Sequence, residues 1–276
     1  MSNSVRVVTL NFWQLSAPLE KRLALAISQL AGLAPDVVCL QEVWPHGGRT
    51  TAHAIADALG MQVHYAPSVT WDGGEEGLAI LAKKIEATAS LALPEPRLKD
   101  ARQLLSAQVA TAGGPIWIHT THLHYRLDDG VAREKQVLAI DAAIRAHRTD
   151  TSPPQILCGD MNATPDSDEM RFLRGLTTLD GRRTHFQDAW LRLHRETQPG
   201  DGPDEGITWS SENEHTRPLR SLDIDRRIDY VYVTSRKKDG RGTVHRCGVV
   251  LTGREDGVCA SDHYGVCADV QVVPNP

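Results

Sequence analysis

Apolar and polar positions at the start of the chain follow a strand, helix, strand pattern. Val5 to Asn11 is a mostly β-branched run that predicts a strand, and residues 18 to 33 carry apolar side chains at helical spacing after Pro18. Asp36 to Glu42 predicts a second, buried strand. This order predicts a βαβ-like opening in which Asn11 and Glu42 each end a strand.

The remaining pattern predicts a sheet-rich protein. We expect helices at 49–59, 130–148 and from about 166, and strands near 62–66, 78–84, 87–92, 103–111, 116–124, 156–159, 227–233, 243–251 and 264–272. Residues 195–225, rich in Gly, Pro, Asp and Glu, predict a mobile loop region with a short strand at 207–209. No linker divides the chain, so we expect a single domain over residues 1–276.

Two polar side chains follow the central buried strand. Ile156 to Cys158 is apolar, Gly159 ends the run, and Asp160 and Asn162 follow two positions apart. Because side chains alternate along an extended segment, both project to the same side at the strand's end. A carboxylate there is suited to take a proton, and an amide to position a neighbour. The same pair is also typical of an Asx turn that caps the next helix, and the motif alone does not decide between the two.

Polar residues interrupt or end other apolar strands as well, where an unpaired charge is unfavourable to bury. The full set is Asn11, Glu42, His122, Asp160, Asn162, Asp229, Asp262 and His263. Singly, each has an ordinary explanation, such as a core histidine or a turn; jointly, those explanations require several coincidences. If the strand ends converge, the oxygens of Glu42 and Asp262, with Asn11 as a neutral donor, fit Mg²⁺ or Mn²⁺. Zinc is not expected, because no Cys and His cluster has the spacing for it.

Composition and charge narrow the class of protein. Hydrophobic residues make up 41% and charged residues 24%, which is average for a globular protein and excludes long disorder. The formal net charge of -5 gives no global attraction to polyanions. The five cysteines lack CxxC spacing, which indicates reduced thiols, and the sequence contains neither an apolar signal segment nor a membrane-length apolar run. We therefore expect a cytoplasmic monomer without integral membrane association.

Six short motifs together resemble the endonuclease/exonuclease/phosphatase superfamily. They are the strand ending in Asn11, Leu40-Gln41-Glu42-Val43-Trp44, Thr121-His122-Leu123, Gly159-Asp160-Met161-Asn162, Arg227-Ile228-Asp229-Tyr230 and Ser261-Asp262-His263, in that order. The resemblance runs from Val7 to about Val270. It implies an α/β fold: a four-layered α-β-β-α sandwich of two mixed, mainly antiparallel sheets, with the site at one edge of the sheets.

The resemblance also implies how the acidic and amide residues act. Glu42 would bind an essential divalent metal, Mg²⁺ or Mn²⁺, helped by Asn11 and, directly or through water, by Asp262. Asp160 would orient or deprotonate the attacking water. Asn162 would hold that water and a phosphate oxygen. The expected reaction is therefore metal-assisted, in-line attack of water on a phosphoester.

Roles for the histidines are implied in the same way. His263, paired with Asp262 or a nearby carboxylate, would stabilise the pentacovalent phosphorane-like state. His122 would contact the phosphate or the leaving oxygen, and Asp229 would orient His122. His124 shares the strand face of His122, which makes it a candidate substrate contact, although a structural or surface role is slightly favoured.

Departures from subfamily patterns bear on the substrate. Trp44 stands where abasic-site endonucleases commonly have a lysine, and Ala163-Thr164 stands where inositol 5-phosphatases carry Tyr-Arg. The motifs look most similar to the sphingomyelinase-like and general bacterial branch. We therefore expect a phosphodiester or phosphomonoester of a small molecule or lipid headgroup as the substrate, in preference to nucleic acid.

Two alternatives stay open. An endo- or exonuclease needs a positive groove, for which the candidates are Arg97, Lys99, Arg102, Arg126 and Arg182-Arg183. A non-catalytic binding module of the same fold is the alternative of a different class, and the retention of all the polar site positions argues against it.

Overall fold

The computed structural model describes residues 3–71, 74–94, 101–148, 152–194 and 206–275. The elements within these ranges are β1 (Ser4–Asn11), α1 (Leu19–Leu33), β2 (Val37–Val43), β3 (Pro45–His46), β4 (Arg49–Thr50), α2 (Thr51–Leu59), β5 (Gln62–Trp71), β6 (Gly74–Ala82), β7 (Ile85–Ala92), β8 (Gln103–Val109), β9 (Ile116–His122), α3 (Gly130–Ala146), β10 (Ile156–Asp160), α4 (Asp168–Leu173), β11 (Phe186–Asp188), α5 (Ala189–Leu193), a 3-10 turn (Arg217–Leu219), β12 (Asp229–Thr234), β13 (Val244–Val250), β14 (Arg254–Glu255), β15 (Val258–Cys259) and β16 (Gly265–Gln271).

Two six-stranded sheets contain most of the strands. The strand order is β13-β16-β1-β2-β6-β5 in the first sheet and β11-β12-β10-β9-β8-β7 in the second. Each sheet has one parallel pair, β1 with β2 and β9 with β10, and its other neighbouring strands are antiparallel. Both sheets are therefore mixed and mainly antiparallel, as the sequence resemblance implies.

The two sheets pack face to face, and helices cover their outer faces. Alternation along each strand decides which way a side chain points. Val7 of the first sheet and Ile118 of the second lie in the apolar core between the sheets. Val8 points the other way, into a core with α1 and α2, and Leu157 packs with α3 and α4 on the far side of the second sheet. The result is the predicted four-layered α-β-β-α sandwich.

The two parallel pairs bring the polar strand ends to one edge of the sandwich. Helix α1 connects β1 to β2, and α3 connects β9 to β10, so each sheet contains one βαβ unit. Asn11 and Glu42 lie at the carboxyl ends of the first pair, and His122 and Asp160 lie at the carboxyl ends of the second. Ligands of α/β sheets commonly bind outside these strand ends.

Gly159 allows an unusually close approach of β10 to β9. Its φ is +137°, a backbone conformation that residues other than glycine rarely adopt. A Cβ placed there would lie 2.0 Å from the Thr121 carbonyl oxygen. The close approach immediately precedes Asp160, which pairs directly with His122 in the register of the two strands.

Most predicted elements are present, with differences at their ends. Strand β6 begins at Gly74, four residues before the predicted start, and so includes Glu76. The sequence pattern does not predict β11 or α5, which are too short to display a periodicity. Residues 195–205 of the predicted loop region lie outside the described residues. Residues 206–225 are held in place by contacts that include the Ser210 hydroxyl donating to Asp225 at 2.9 Å.

No helix in the described parts of the chain has the length and apolar character needed to cross a membrane.

Candidate active site

Asp160 lies at the centre of the convergent strand ends. Its Oδ2 accepts a hydrogen bond from Asn11 Nδ2 at 3.0 Å and lies 3.4 Å from His122 Nε2 and 3.9 Å from His263 Nε2. Its Oδ1 accepts a hydrogen bond from the backbone N–H of Asn162 at 2.8 Å. The Asp160 side chain is buried, so residues of both sheets determine the environment of this carboxylate.

Glu42 enters the site through an irregularity at the end of β2. The pairing of β2 with β6 shifts register here, and Glu42 has a φ of +52° in the left-handed region, which non-glycine residues seldom adopt. Its Oε1 accepts a hydrogen bond from Asn11 Nδ2 at 3.0 Å. Backbone strain of this kind is common where a side chain must be aimed at a functional site.

Asn11 bridges the two carboxylates with its amide nitrogen. Its Nδ2 donates to Glu42 and Asp160, and its Oδ1 accepts from the backbone N–H of Trp13 at 3.0 Å. Turning the amide over would set its oxygen against two carboxylates and its nitrogen against a donor, so the hydrogen bonds fix its orientation. In this arrangement Asn11 offers N–H groups to the acidic residues, and its expected role as a neutral oxygen donor to a metal stays a prediction.

His263 forms a short ion pair with Asp229. Its Nδ1 lies 2.8 Å from Asp229 Oδ2. Burial lowers the pKa of His263, but the carboxylates of Asp229, Asp262 and Asp160 outweigh burial and raise this pKa well above its ordinary value. His263 is therefore an imidazolium at neutral pH, with its Nε2 directed toward Asp160.

A second histidine has a different partner from the expected one. His122 Nδ1 lies 3.6 Å from Glu76 Oε1, and Arg102 lies 3.6 Å from the same oxygen. Gln14 Nε2 donates to the other oxygen of Glu76 at 2.9 Å. Burial, then the positive charges of Arg102 and His263, lower the pKa of His122 well below its ordinary value, so this imidazole is neutral.

These contacts correct the expectation that Asp229 orients His122. Asp229 pairs with His263, whereas Glu76 lies beside His122. Glu76 and Arg102 are site residues that the sequence pattern does not single out, although the candidate groove of a nuclease includes Arg102. The sequence signal for Glu76 is the pair of adjacent acids Glu75 and Glu76. This signal becomes meaningful once the strand is known to begin at Gly74, because alternation then buries Glu76 and exposes Glu75.

A cavity of about 220 Å³ opens above Asp160. Its lining consists of Gln14, Glu42, Glu76, Arg102, His122, Tyr125, Asp160, Asn162 and His263. Liquid water occupies about 30 Å³ per molecule, so the cavity has room for a phosphate-sized group and an attacking water.

Asn162 belongs to this cavity and also forms a turn. It has a φ of +47°, its backbone N–H binds Asp160, and its Nδ2 donates to the Leu123 carbonyl at 3.1 Å. The Asx turn expected of this motif is therefore present, and the catalytic role of Asn162 stays a prediction.

His124 is placed differently from His122. It is buried, its Nε2 lies 3.5 Å from Asp129 Oδ2, and its backbone N–H donates to Gln136 Oε1 at 3.0 Å. His124 does not line the cavity, whereas the next residue, Tyr125, does. The candidate role of His124 in substrate contact is accordingly replaced by a structural one.

Ser261 ties the Asp262 segment to the first strand. Its hydroxyl donates to the Asn11 carbonyl at 2.6 Å and lies 3.2 Å from Asp262 Oδ1. Asn213 Nδ2 donates to the Ser261 carbonyl at 2.8 Å and the Asp262 carbonyl at 3.2 Å. The segment is thus fixed from both sides, with His263 following directly.

The negative charge of the site fits a divalent cation. Burial raises the pKa of Glu42 to about 8, with Glu76 and Asp262 adding to the rise, and burial with Asp229 raises the pKa of Asp160 to about 6. The carboxylates are those of Glu42, Glu76, Asp160, Asp229 and Asp262, and the nearby cations are Arg22, Arg102 and His263. With every carboxylate ionised, as a bound cation requires, five carboxylates and three cations leave two negative charges in excess. The donors are the hard oxygens that Mg²⁺ and Mn²⁺ prefer.

One histidine-containing group is less suited to a metal. Asp160, Asp229 and His263 bring ligand atoms within 4.8 Å of one another. However, the His263 ring is a cation whose Nδ1 is already engaged by Asp229, and metals bind neutral imidazole. Glu42 is instead held by the neutral Asn11 amide, and its role as a metal ligand stays a prediction.

Arg22 of α1 supports the site from behind. Its fully buried guanidinium donates to the carbonyls of Phe12, Trp13, Gln14 and Ser16. Trp13 and Gln14 have φ values of +60° and +49°. Arg22 therefore holds a left-handed loop that places Gln14 on Glu76.

The candidate groove residues of a nuclease do not form one surface. Arg102 lies in the site, while exposed Arg126 pairs with Asp128 at 3.1 Å. Arg182 pairs with Asp141, and Arg183 lines a concavity formed with Ile144 and Thr234. Arg97 and Lys99 lie outside the described residues.

Comparison with known families identifies the class of protein. Residues 8–263 match the model of the Endonuclease/Exonuclease/phosphatase family. The chain belongs to this family and is thus a divalent-metal-dependent hydrolase of phosphoesters. No curated protein sequence gives a significant match to the chain.

Solved structures share the fold. Danio rerio TDP2 in complex with a single strand DNA product aligns with a TM-score of 0.75 and 21% identity, covering 98% of this chain and 99% of that one. The human nocturnin catalytic domain with bound sulfate gives 0.70 and 19%, covering 98% and 95%. An endonuclease/exonuclease/phosphatase family protein from Leptotrichia buccalis gives 0.66 and 20%, covering 96% and 99%.

These similarities correct the expected substrate class. The preference for a small molecule or lipid headgroup over nucleic acid is wrong, because the similar TDP2 structure holds a single strand DNA product. The sequence argument relied on short subfamily motifs and on the acidic net charge. The net charge describes the whole surface and carries no information about one site.

Proposed function

We propose that this protein hydrolyses phosphoester bonds of nucleic acid strands with Mg²⁺ or Mn²⁺. The observation that carries the proposal is the position of Asp160, on the floor of the cavity between one cationic histidine and one neutral histidine. The TDP2 structure with its DNA product supports the choice of nucleic acid over other phosphoesters.

Asp160 is the proposed base for the attacking water. Its pKa of about 6 leaves it mostly ionised at neutral pH, and a base with a pKa close to the working pH is efficient. Asn11 and the Asn162 backbone hold the carboxylate in one orientation. The side chain of Asn162, at the edge of the cavity, is the proposed contact for a phosphate oxygen.

His263 is the proposed stabiliser of the pentacovalent state. Its imidazolium presents Nε2 to the cavity, where negative charge develops on the phosphoryl oxygens, and Asp229 keeps it charged and oriented. His122 is the proposed hydrogen-bond partner of the leaving oxygen, with Glu76 as its positioning residue. Glu42, with Asp262 nearby, would hold the divalent cation, which supplies charge neutralisation of the phosphate when bound.

The proposal is tested by incubating the purified protein with end-labelled single-stranded DNA and RNA in Mg²⁺ and then Mn²⁺. Supercoiled plasmid tests for internal cleavage. Asp160→Asn, which keeps the size of the side chain, serves as the control for contaminating nucleases. Metal-dependent cleavage by the wild type alone supports the proposal. Absence of cleavage of every nucleic acid with both metals contradicts it and favours a binding module.

A further inference from the structure

An arginine-rich surface lies apart from the active site. Two adjoining concavities of about 420 Å³ and 480 Å³ share His185, Phe186 and Ser235 in their lining. Their cationic residues are Arg145, Arg148, Arg174, Arg183, Arg192 and Arg236. We call this region the arginine surface. It concentrates six guanidinium groups on a chain whose formal net charge is -5.

The acidic groups of this surface are already neutralised. Asp141 accepts hydrogen bonds from Arg145 at 2.9 Å, Arg182 at 3.3 Å and Thr184 at 2.5 Å. Asp188 is buried against Arg227 at 3.0 Å. These are the two carboxylates that line the concavities, so the positive charge of the arginines is not cancelled by the described lining residues.

Several arginines have no structural use within the described residues. The side chains of Arg148, Arg183, Arg192 and Arg236 are exposed and form no salt bridge or hydrogen bond there. Arg145, by contrast, holds α3 to the Arg183 carbonyl at 2.8 Å. Four extended guanidinium groups converging on concave surface are suited to bind phosphate, since their planar fork matches its oxygens.

The arginine surface lies toward the opposite end of the second sheet from the catalytic residues. Strand β12 begins at Asp229 in the site and ends at Thr234, which lines the first concavity. At about 3.3 Å per residue, five steps separate the two by roughly 17 Å. The surface is therefore too distant to contact the phosphoester under attack and can reach only a more remote part of a long substrate.

We propose that the arginine surface binds the phosphate backbone of a nucleic acid strand at nucleotides away from the cleaved bond; this rests on the proposed function for the identity of the strand. Arginine without lysine favours phosphate groups, and exposed Leu176 and Leu191 beside the guanidinium groups offer apolar contact to bases. An acidic protein segment is the competing ligand, which the experiment distinguishes.

The experiment measures binding by fluorescence anisotropy in an Asp160→Asn background, which prevents turnover. The probe is labelled single-stranded DNA of about 30 nucleotides, compared with a labelled dinucleotide, which is too short to span the separation even when its backbone is fully extended. The test variant combines Arg148→Ala, Arg183→Ala and Arg236→Ala. The control combines Lys21→Ala, Arg49→Ala and Lys84→Ala, which removes the same charge from exposed residues elsewhere.

For the long strand, we expect the test variant to raise Kd about tenfold or more and to reduce the slope of log Kd against log salt by about 2, because each lost phosphate contact removes about 0.7 from that slope. The short strand and the control variant should change Kd less than about twofold. Unchanged binding of the long strand, or an equal loss in the control, overturns the proposal. Competition by polyglutamate as strong as that by unlabelled DNA also overturns it, in favour of an acidic protein.

Failure of this inference is separable from failure of the proposed function. With an active Asp160, the three arginine substitutions should leave turnover of a p-nitrophenyl ester of thymidine 5′-monophosphate unchanged. If the wild type cleaves strands but the arginine variant binds them normally, the arginine surface is wrong and the catalytic proposal stands. If the variant weakens DNA binding but the wild type cleaves no nucleic acid, the reverse holds.

Discussion

The two histidines of the site are both paired with a carboxylate, yet their surroundings give them opposite charge states. His263 lies 2.8 Å from Asp229 and is surrounded by further carboxylates, which raise its pKa. His122 lies 3.6 Å from Glu76, and burial together with Arg102 and His263 lowers its pKa. One ring is thus an imidazolium and the other a neutral imidazole, although both lie within 4 Å of Asp160.

Because only His263 is charged, the site can stabilise negative charge and transfer a proton without a second imidazolium beside the first. Two imidazolium rings around Asp160 would repel each other and compete with a metal ion. Burial and then the positive charge of Arg102 oppose this, because both lower the pKa of His122. The charge of each histidine is therefore determined by the balance between its burial and the charged residues around it.

The largest expected effect comes from disrupting the ion pair of His263 and Asp229. Asp229→Asn and His263→Gln should each lower kcat by about 10³ to 10⁴-fold, as losses of transition-state charge stabilisation do, with KM little changed. Steady-state kinetics on a labelled oligonucleotide measure both constants. Asp223→Asn, in the loop and paired with Arg226, is the matched control. Activity within about tenfold of wild type in both variants contradicts the role of the pair.

Disruption of the contact between neutral His122 and Glu76 should have a smaller effect. His122→Gln should lower kcat by about 10² and Glu76→Gln by about tenfold, because one hydrogen bond to the leaving oxygen is lost or loosened rather than a full charge. The same kinetic measurement, with circular dichroism to verify folding, compares the four variants. If His122→Gln is as damaging as His263→Gln, the proposed division between the two histidines is wrong.

The charge assignment itself is tested by Arg102→Met. Without the guanidinium, protonation of His122 meets less repulsion, so its pKa should rise. The pKa of His263, which its carboxylates determine, should stay high. Titration of the imidazole nitrogen signals by NMR, in the wild type and the variant, measures both. A pKa of His122 that does not move would show that burial alone keeps it neutral.

The smallest expected signal concerns Glu42 and is the release of a proton rather than a change in kcat. The Glu42 pKa of about 8 means that this side chain carries a proton at pH 7 before a cation binds. Addition of Mg²⁺ at pH 7 should therefore release up to about one proton, because metal ligands bind deprotonated. Calorimetry in two buffers with different ionisation enthalpies measures this proton. Glu42→Gln should abolish the release, and equal release in the variant would assign the proton to another group.

The sequence predicts the ends of the strands better than what surrounds them. The four-layered fold follows from the family resemblance of six short motifs. The convergence of Asp160, His122, Asn162 and His263 follows from apolar runs that stop at polar residues. A charged residue within such a run indicates a site, since a charge within a buried strand needs a partner.

The identity of each partner is not predictable in this way. Glu76 follows Glu75, and adjacent acids give no indication of which one is buried. The pairing of Asp229 with His263 depends on β12 and the segment before β16 belonging to different sheets that pack face to face. The orientation of the Asn11 amide depends on three donors and acceptors from three segments. Such contacts are decided by tertiary packing.

Gly159 has a consequence for how this protein can change. A Cβ at this position would lie 2.0 Å from the Thr121 carbonyl, so even alanine would push apart the two strands that carry Asp160 and His122. During evolution, Gly159 should therefore not be substituted for as long as the chain remains catalytic. For protein engineering, the same contact offers a way to inactivate the site. One added methyl group, far smaller than any substrate, should separate Asp160 from His122 while leaving every catalytic side chain in the sequence.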